Sequence, residues 1–157
     1  MWSILGKYLW VFLISMVPII ELRGAIPAAA VLEVPWYFAY PAAVIGNLLP
    51  VPFILLFIEK IFAWMKKVRL FPKIIHWLEE KAQKGAAKVE KYALFGLFLF
   101  VALPLPGTGA WTGSLIAALF HMNKKWSILS ITLGVLTAGV IMTLVSYSAV
   151  GFLSFLL

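Results

Sequence analysis

The sequence has 157 residues, 64% of them hydrophobic and only 12% charged, where an ordinary soluble domain is about half apolar and a quarter charged. A soluble core of this length has no use for that apolar surplus, so a water-soluble enzyme is excluded. The formal charge of +7 with no cysteine points to a membrane protein with a cationic face rather than a nucleic-acid partner. It leaves no disulfide frame, no Cys-based metal site and no thiol nucleophile. Two His and no Asp argue against a metal cage or a hydrolytic triad, so neither an enzyme nor a cofactor is expected.

Along the chain the elements fall into two halves and a linker. Residues 1–58 are neutral, Lys7 and Arg23 balancing Glu21 and Glu33. They read as an apolar arm (Trp2–Val17), a break (Pro18–Gly24), a short arm (Ala25–Leu32), a turn (Glu33–Trp36) and a long helix (Tyr37–Ile58). The opening apolar run followed by Ala28-Ala29-Ala30 has the outline of a signal peptide. Glu21 and Arg23 intervene, so it is read as a retained segment. Pro27 suits the first turn of the short arm. Asn47 with Pro50 and Pro52 predicts a kink in the long helix, its freed carbonyl satisfied locally, with cavity lining as the lesser alternative.

Residues 59–92 carry nine Lys/Arg against four Glu. Phe71, Ile74, Ile75, Leu78, Ala82, Ala86 and Val89 recur at helical spacing, which predicts a basic amphipathic helix on the cytoplasmic leaflet. His76 reads as an interfacial polar residue. Residues 93–157 hold only Lys124 and Lys125 as charges. The order of parts returns: Tyr92–Leu103, Pro104–Gly113, Ser114–Phe120, His121–Lys125 and Trp126–Gly151.

Sliding the chain by 88 residues sets Pro18 on Pro106, Ala29-Ala30 on Ala117-Ala118, Gly46 on Gly134 and Leu48 on Leu136. The short arms reach only about a third of the hydrocarbon core at about 1.5 Å per residue. Arms flanking a Pro/Gly tip therefore predict re-entrant hairpins, whose irregular backbone must be satisfied by protein or by a water-filled cavity. Placing 59–92 in the cytoplasm by the positive-inside rule makes the halves inverted. A rival arrangement with spanning first arms leaves Lys124 and Lys125 outside. The fold expected is an all-α integral membrane domain of two inverted repeats. Each is a re-entrant helical hairpin plus a transmembrane helix, and the basic linker joins them.

Glu21 and Arg23 are the candidate site. A charge at a helix centre costs roughly 2.5–3.5 kcal/mol on insertion scales, so an intramembrane ion calls for a function. The bland alternative is that the two pair with each other or cap broken helix ends. On a regular helix i and i+2 diverge, so pairing needs an unwound backbone. Arms beginning after Gly24 and Gly113 would oppose two half-helix N-termini at the tips, each with free N–H groups and about half a positive charge. With Arg23 and Gly24, and with Gly107, Thr108, Gly109 and Thr112 as backbone and hydroxyl donors, this suits an anion. Glu21 is then the ion-coupling group.

The strings Glu-Leu-Arg-Gly-Ala-Ile-Pro at 21–27, Gly46-Asn47 with Pro50 and Pro52, and Pro-Leu-Pro-Gly-Thr-Gly-Ala-Trp-Thr-Gly at 104–113 resemble the small multi-drug export proteins. That family is similar to the DedA superfamily, whose members have paired re-entrant hairpins. The resemblance implies translocation of polyprenyl-phosphate carriers or phospholipids coupled to an ion gradient. Unlike the DedA pattern, the second hairpin here carries no acidic or arginine residues. The function expected is a multi-pass transporter or lipid translocase of the cell inner membrane, moving an anionic, lipid-linked phosphate by alternating access. The partners expected are membrane lipids and that substrate, with a homodimer as a further possibility. Proton-coupled efflux of small cationic drugs and a non-transporting scaffold are the alternatives.

Overall fold

The computed structural model describes residues 4–67, 90–105 and 107–156. Among them every regular element is a helix: α1 (Ile4–Met16), α2 (Glu21–Val31), α3 (Trp36–Leu48), α4 (Pro50–Lys67), α5 (Glu90–Ala102), α6 (Ala110–Leu119) and α7 (Lys124–Leu156). The body of the amphipathic linker, 68–89, lies outside the described residues. Its expected first residues instead continue α4 past Ile58, since Glu59, Lys60, Lys66 and Lys67 are good helix formers and nothing there breaks the ladder.

The arms α1 and α5 have 13 residues each. At about 20 Å they fall short of the hydrocarbon core of about 30 Å. Two stretches are long and apolar enough to cross it, 23 residues over Trp36–Ile58 and 29 over Lys124–Phe152. Large apolar side chains line the outside: Leu5, Leu9 and Leu13 on α1, and Leu129, Leu133, Val140 and Leu144 on α7, are exposed. Stripes of that kind are stable against lipid tails and would aggregate in water.

The interior is built from small residues, as helix packing in lipid favours. Ala25, Ala29, Ala39, Ala43, Ala110, Ala117 and Ala138 are buried. Each first arm packs along the long helix of its own half, α1 on α3 and α5 on α7. Each short arm packs on long helices of both halves, α2 on α3 and α7, α6 on α7 and α4. Glycine permits both arm crossings. A Cβ on Gly46 would overlap Ser15 Oγ and the Phe12 carbonyl, and one on Gly134 would stand 2.7 Å from Val101 Cβ and 3.0 Å from the Phe98 carbonyl. These are two of the residues matched by the 88-residue offset.

The same offset recurs in the backbone. After α2, Glu33 turns left-handed at φ 57°, and after α6 His121 does so at φ 50°. The Val34 N–H donates to the Ala29 carbonyl at 2.9 Å and the Glu33 N–H to Ala30 at 3.1 Å. Met122 and His121 donate to Ala117 and Ala118 at the same two distances. Both are Schellman caps, and the helices after them start at Trp36 and Lys124, still 88 apart. The Tyr147 hydroxyl donates to the Val34 carbonyl, tying α7 to the first cap.

The short arms begin earlier than Gly24 and Gly113 suggest, at Glu21 and Ala110. Both glycines lie inside helices, where they make room. A Cβ on Gly24 would stand 2.5 Å from Ile20 Cγ2, and one on Gly113 would stand 2.7 Å from Val101 Cγ2. Pro27 accordingly sits within α2, not in its first turn, and denies the Arg23 carbonyl its helical donor.

Candidate functional site

Between α1 and α2 the chain reverses within four residues. The Val17 N–H donates to the Ile14 carbonyl and the Glu21 N–H to Val17, both at 3.0 Å. Ile19 and Glu21 take φ of 79° and 49°, a left-handed geometry that costs strain in a branched residue. This unwound entry lets residues two apart meet. Arg23 Nη1 lies 3.6 Å from Glu21 Oε2.

Both charges then reach across to the second half. The Glu21 carboxylate, in a residue 3% exposed, accepts from the Trp111 N–H at 3.0 Å and the Ala110 N–H at 3.3 Å. It thereby fills the N-terminus of α6, where free donors and the helix dipole favour an anion. Arg23 Nη2 donates at 3.0 Å to the Val101 and Leu103 carbonyls, the open end of α5. One ion pair thus caps both broken helix ends of the opposite half. Gly109, the N-cap of α6 at φ 141°, must be glycine. A Cβ there would overlap Glu21 Oε2 and stand 2.6 Å from Arg23 Nη1.

The other predicted residues separate. Gly24 lies in the first turns of α2, its N–H bonded to the Ile20 carbonyl at 2.9 Å. Thr108 closes its own turn, its hydroxyl donating to the Leu103 and Leu105 carbonyls at 2.8 Å. Gly107 supplies the left-handed residue of that turn at φ 82°. Thr112 is half-buried in the first turn of α6. Of the six predicted substrate-binding residues, Arg23 and Gly109 meet at the crevice with Glu21, while Gly24, Gly107, Thr108 and Thr112 do not line it. The two opposed N-termini are not equivalent either, because a carboxylate fills that of α6 and no side chain caps α2.

Asn47 belongs to this site, the lesser of the two readings that its sequence context allowed, and was not among the predicted site residues. It is 1% exposed and lines the same crevice as Glu21, Arg23, Gly109, Val135 and Ala138. The crevice is tight, with no volume open to a water molecule. Asn47 Oδ1 and Arg23 Nε are both buried without a hydrogen-bond partner. Pro50 and Pro52 after Asn47 were a signal for it, since they interrupt the helix at Leu49 beside the crevice. Trp111 was a further signal. Its indole N–H donates to the Met16 carbonyl at 3.1 Å and so caps α1.

Among the described residues, helices of this length with apolar outer faces and a buried ion pair at their broken ends mark an all-helical membrane protein. A family model described as "Putative small multi-drug export protein" matches residues 21–141. The chain belongs to that family, whose name points to an export role. No curated protein matches the chain. No solved structure matches it either.

Proposed function

We propose that the chain is a multi-pass transporter of the inner membrane, with residues 59–92 on the cytoplasmic side, that moves an anionic substrate by alternating access of its two halves. A lipid-linked phosphate is the substrate class named. The observation carrying this reading is the Glu21–Arg23 pair, which holds both broken helix ends of the opposite half. Such a clasp must part when the halves separate. Arg23 then offers its guanidinium to the anion and Glu21 couples a proton. The recurrence of caps and crossings at an 88-residue offset supports reading the halves as inverted repeats with re-entrant hairpins. The likeness to the DedA superfamily runs through the small multi-drug export family, and the second hairpin at 104–113 departs from the DedA pattern in carrying no acidic or arginine residue.

The test is uptake into liposomes holding the purified protein, with Arg23→Ala checked for folding by its helical circular dichroism. Loss of transport of a phosphate-headed lipid in a folded variant is expected. Wild-type transport in that variant overturns the reading.

A second reading, proton-coupled efflux of small cations, draws on a different observation. A groove of about 540 Å³ is lined by Trp36, Tyr40, Val140, Thr143, Leu144, Tyr147 and Ser148, and aromatic faces attract organic cations. Under that reading Glu21→Gln abolishes export while Arg23→Ala is mild.

A further inference from the structure

A carboxylate held by two successive backbone N–H groups at a helix start, with a guanidinium beside it, is the arrangement by which proteins bind an oxyanion from outside. Here the oxyanion belongs to the chain. The donors at Ala110 and Trp111 are 89 and 90 residues from Glu21, so the carboxylate is a visitor to α6 from the other half. The seat also has capacity that this visitor does not use. Arg23 Nε is a buried donor without an acceptor, and Asn47 Oδ1, in a residue 1% exposed, is a buried acceptor without a donor. A buried polar atom without a partner costs free energy, so two in one crevice call for a second arrangement that uses them.

We propose that Glu21 is a tethered occupant of an oxyanion seat, and that its protonation hands the seat to a ligand. This rests on the transport reading above and names the regulation of the same site. An ionised Glu21 can only accept, and it stays on the N–H groups of α6. A protonated Glu21 carries one O–H donor and no charge. It leaves the N–H groups and donates to Asn47 Oδ1. The vacated N–H pair and Arg23 then receive a carboxylate or phosphodiester, to which Nε also donates. Of the described residues lining the crevice only Glu21 and Arg23 carry a charge. α3 contributes Asn47, α5 and α7 contribute Val101, Val135 and Ala138, and α6 contributes backbone donors. The one basic side chain of α1, Lys7, is bonded to the Leu32 carbonyl past the other end of α2. One proton therefore enters with each anion.

The test is binding to the purified full chain in nanodiscs, using dimethyl phosphate and dihexanoyl phosphatidylglycerol. Both keep a single negative charge where a carboxyl titrates. While Glu21 is ionised, affinity should rise about tenfold for each pH unit of acidification, with one proton taken up per anion bound. Glu21→Gln, a mimic of the neutral form, should bind at alkaline pH as tightly as the wild type does in acid, with no slope and no uptake. Asn47→Leu should lose the gain on acidification. Binding of both probes assigns a free oxyanion, and binding of the lipid alone assigns a lipid headgroup. Wild-type binding without proton uptake overturns the proposal, as does Glu21→Gln binding no tighter than wild type at alkaline pH. If transport persists and is lost in Arg23→Ala while uptake is absent, the tethered-occupant idea fails and the transporter reading stands. If Arg23→Ala transports normally, the reading itself fails.

Discussion

The two halves place corresponding residues at the same junctions and give them different chemistry. Arg23 sits in the first turn of α2 and caps the end of α5. Trp111, 88 residues on, sits in the first turn of α6 and caps the end of α1. Glu21 corresponds to Gly109, and the two stand against each other. One half contributes a charged pair where the other contributes an indole and a bare backbone. The ions cap both broken ends of the second half, and the indole caps one broken end of the first, that of α1. Charge on both sides would put like groups against like in a tight space. The ionic cap offers charge for which an anion can compete, and the indole cap offers none.

The sharpest break in this comparison is Arg23→Ala, which leaves Glu21 buried without its counter-ion and the Val101 carbonyl without its side-chain donor. A loss of about 3–5 kcal/mol is expected, read as a lowered midpoint of thermal unfolding in detergent. Gly109→Ala comes next, forcing a Cβ onto the carboxylate at a φ that L-residues avoid, at about 2–4 kcal/mol. The arm crossings test the frame itself. Gly46→Ala and Gly134→Ala should each cost about 1–3 kcal/mol, Gly46 more because its Cβ would overlap the Phe12 carbonyl, where that of Gly134 would stand 3.0 Å from the Phe98 carbonyl. A large cost at one crossing and none at the other would break the equivalence of the halves. Trp111→Phe keeps the ring and deletes one neutral bond, about 1 kcal/mol, far below its ionic counterpart. Smallest, Glu33→Gly and His121→Gly relieve matching left-handed residues and should each stabilise by a few tenths to about 1 kcal/mol.

Much of this frame was legible in the sequence because packing in lipid selects small residues at crossings. Gly46 with Gly134 and Ala29-Ala30 with Ala117-Ala118 marked the crossings and caps that the structure pairs. The charged pair was legible because Glu and Arg are conspicuous in an apolar run. Its partners were not, since the Ala110 and Trp111 N–H groups and the Val101 and Leu103 carbonyls are backbone, common to every residue. The starts of the short arms were misplaced because Gly24 and Gly113 resemble breaks, and only the neighbours Ile20 and Val101 show that they are clearances. Asn47 resembled a kink residue until the crevice it faces was assembled from both halves.

The sequence distance between Glu21 and its partners also sets an order of events during synthesis. The carboxylate emerges before the helix start that holds it exists, and Arg23 precedes the α5 carbonyls by 78 and 80 residues. Each short arm likewise packs on a long helix of the other half. The nascent first half therefore lacks part of the packing that α2 makes in the finished fold. Glu21 and Arg23 reach the partners that bury them only after the second half has been made.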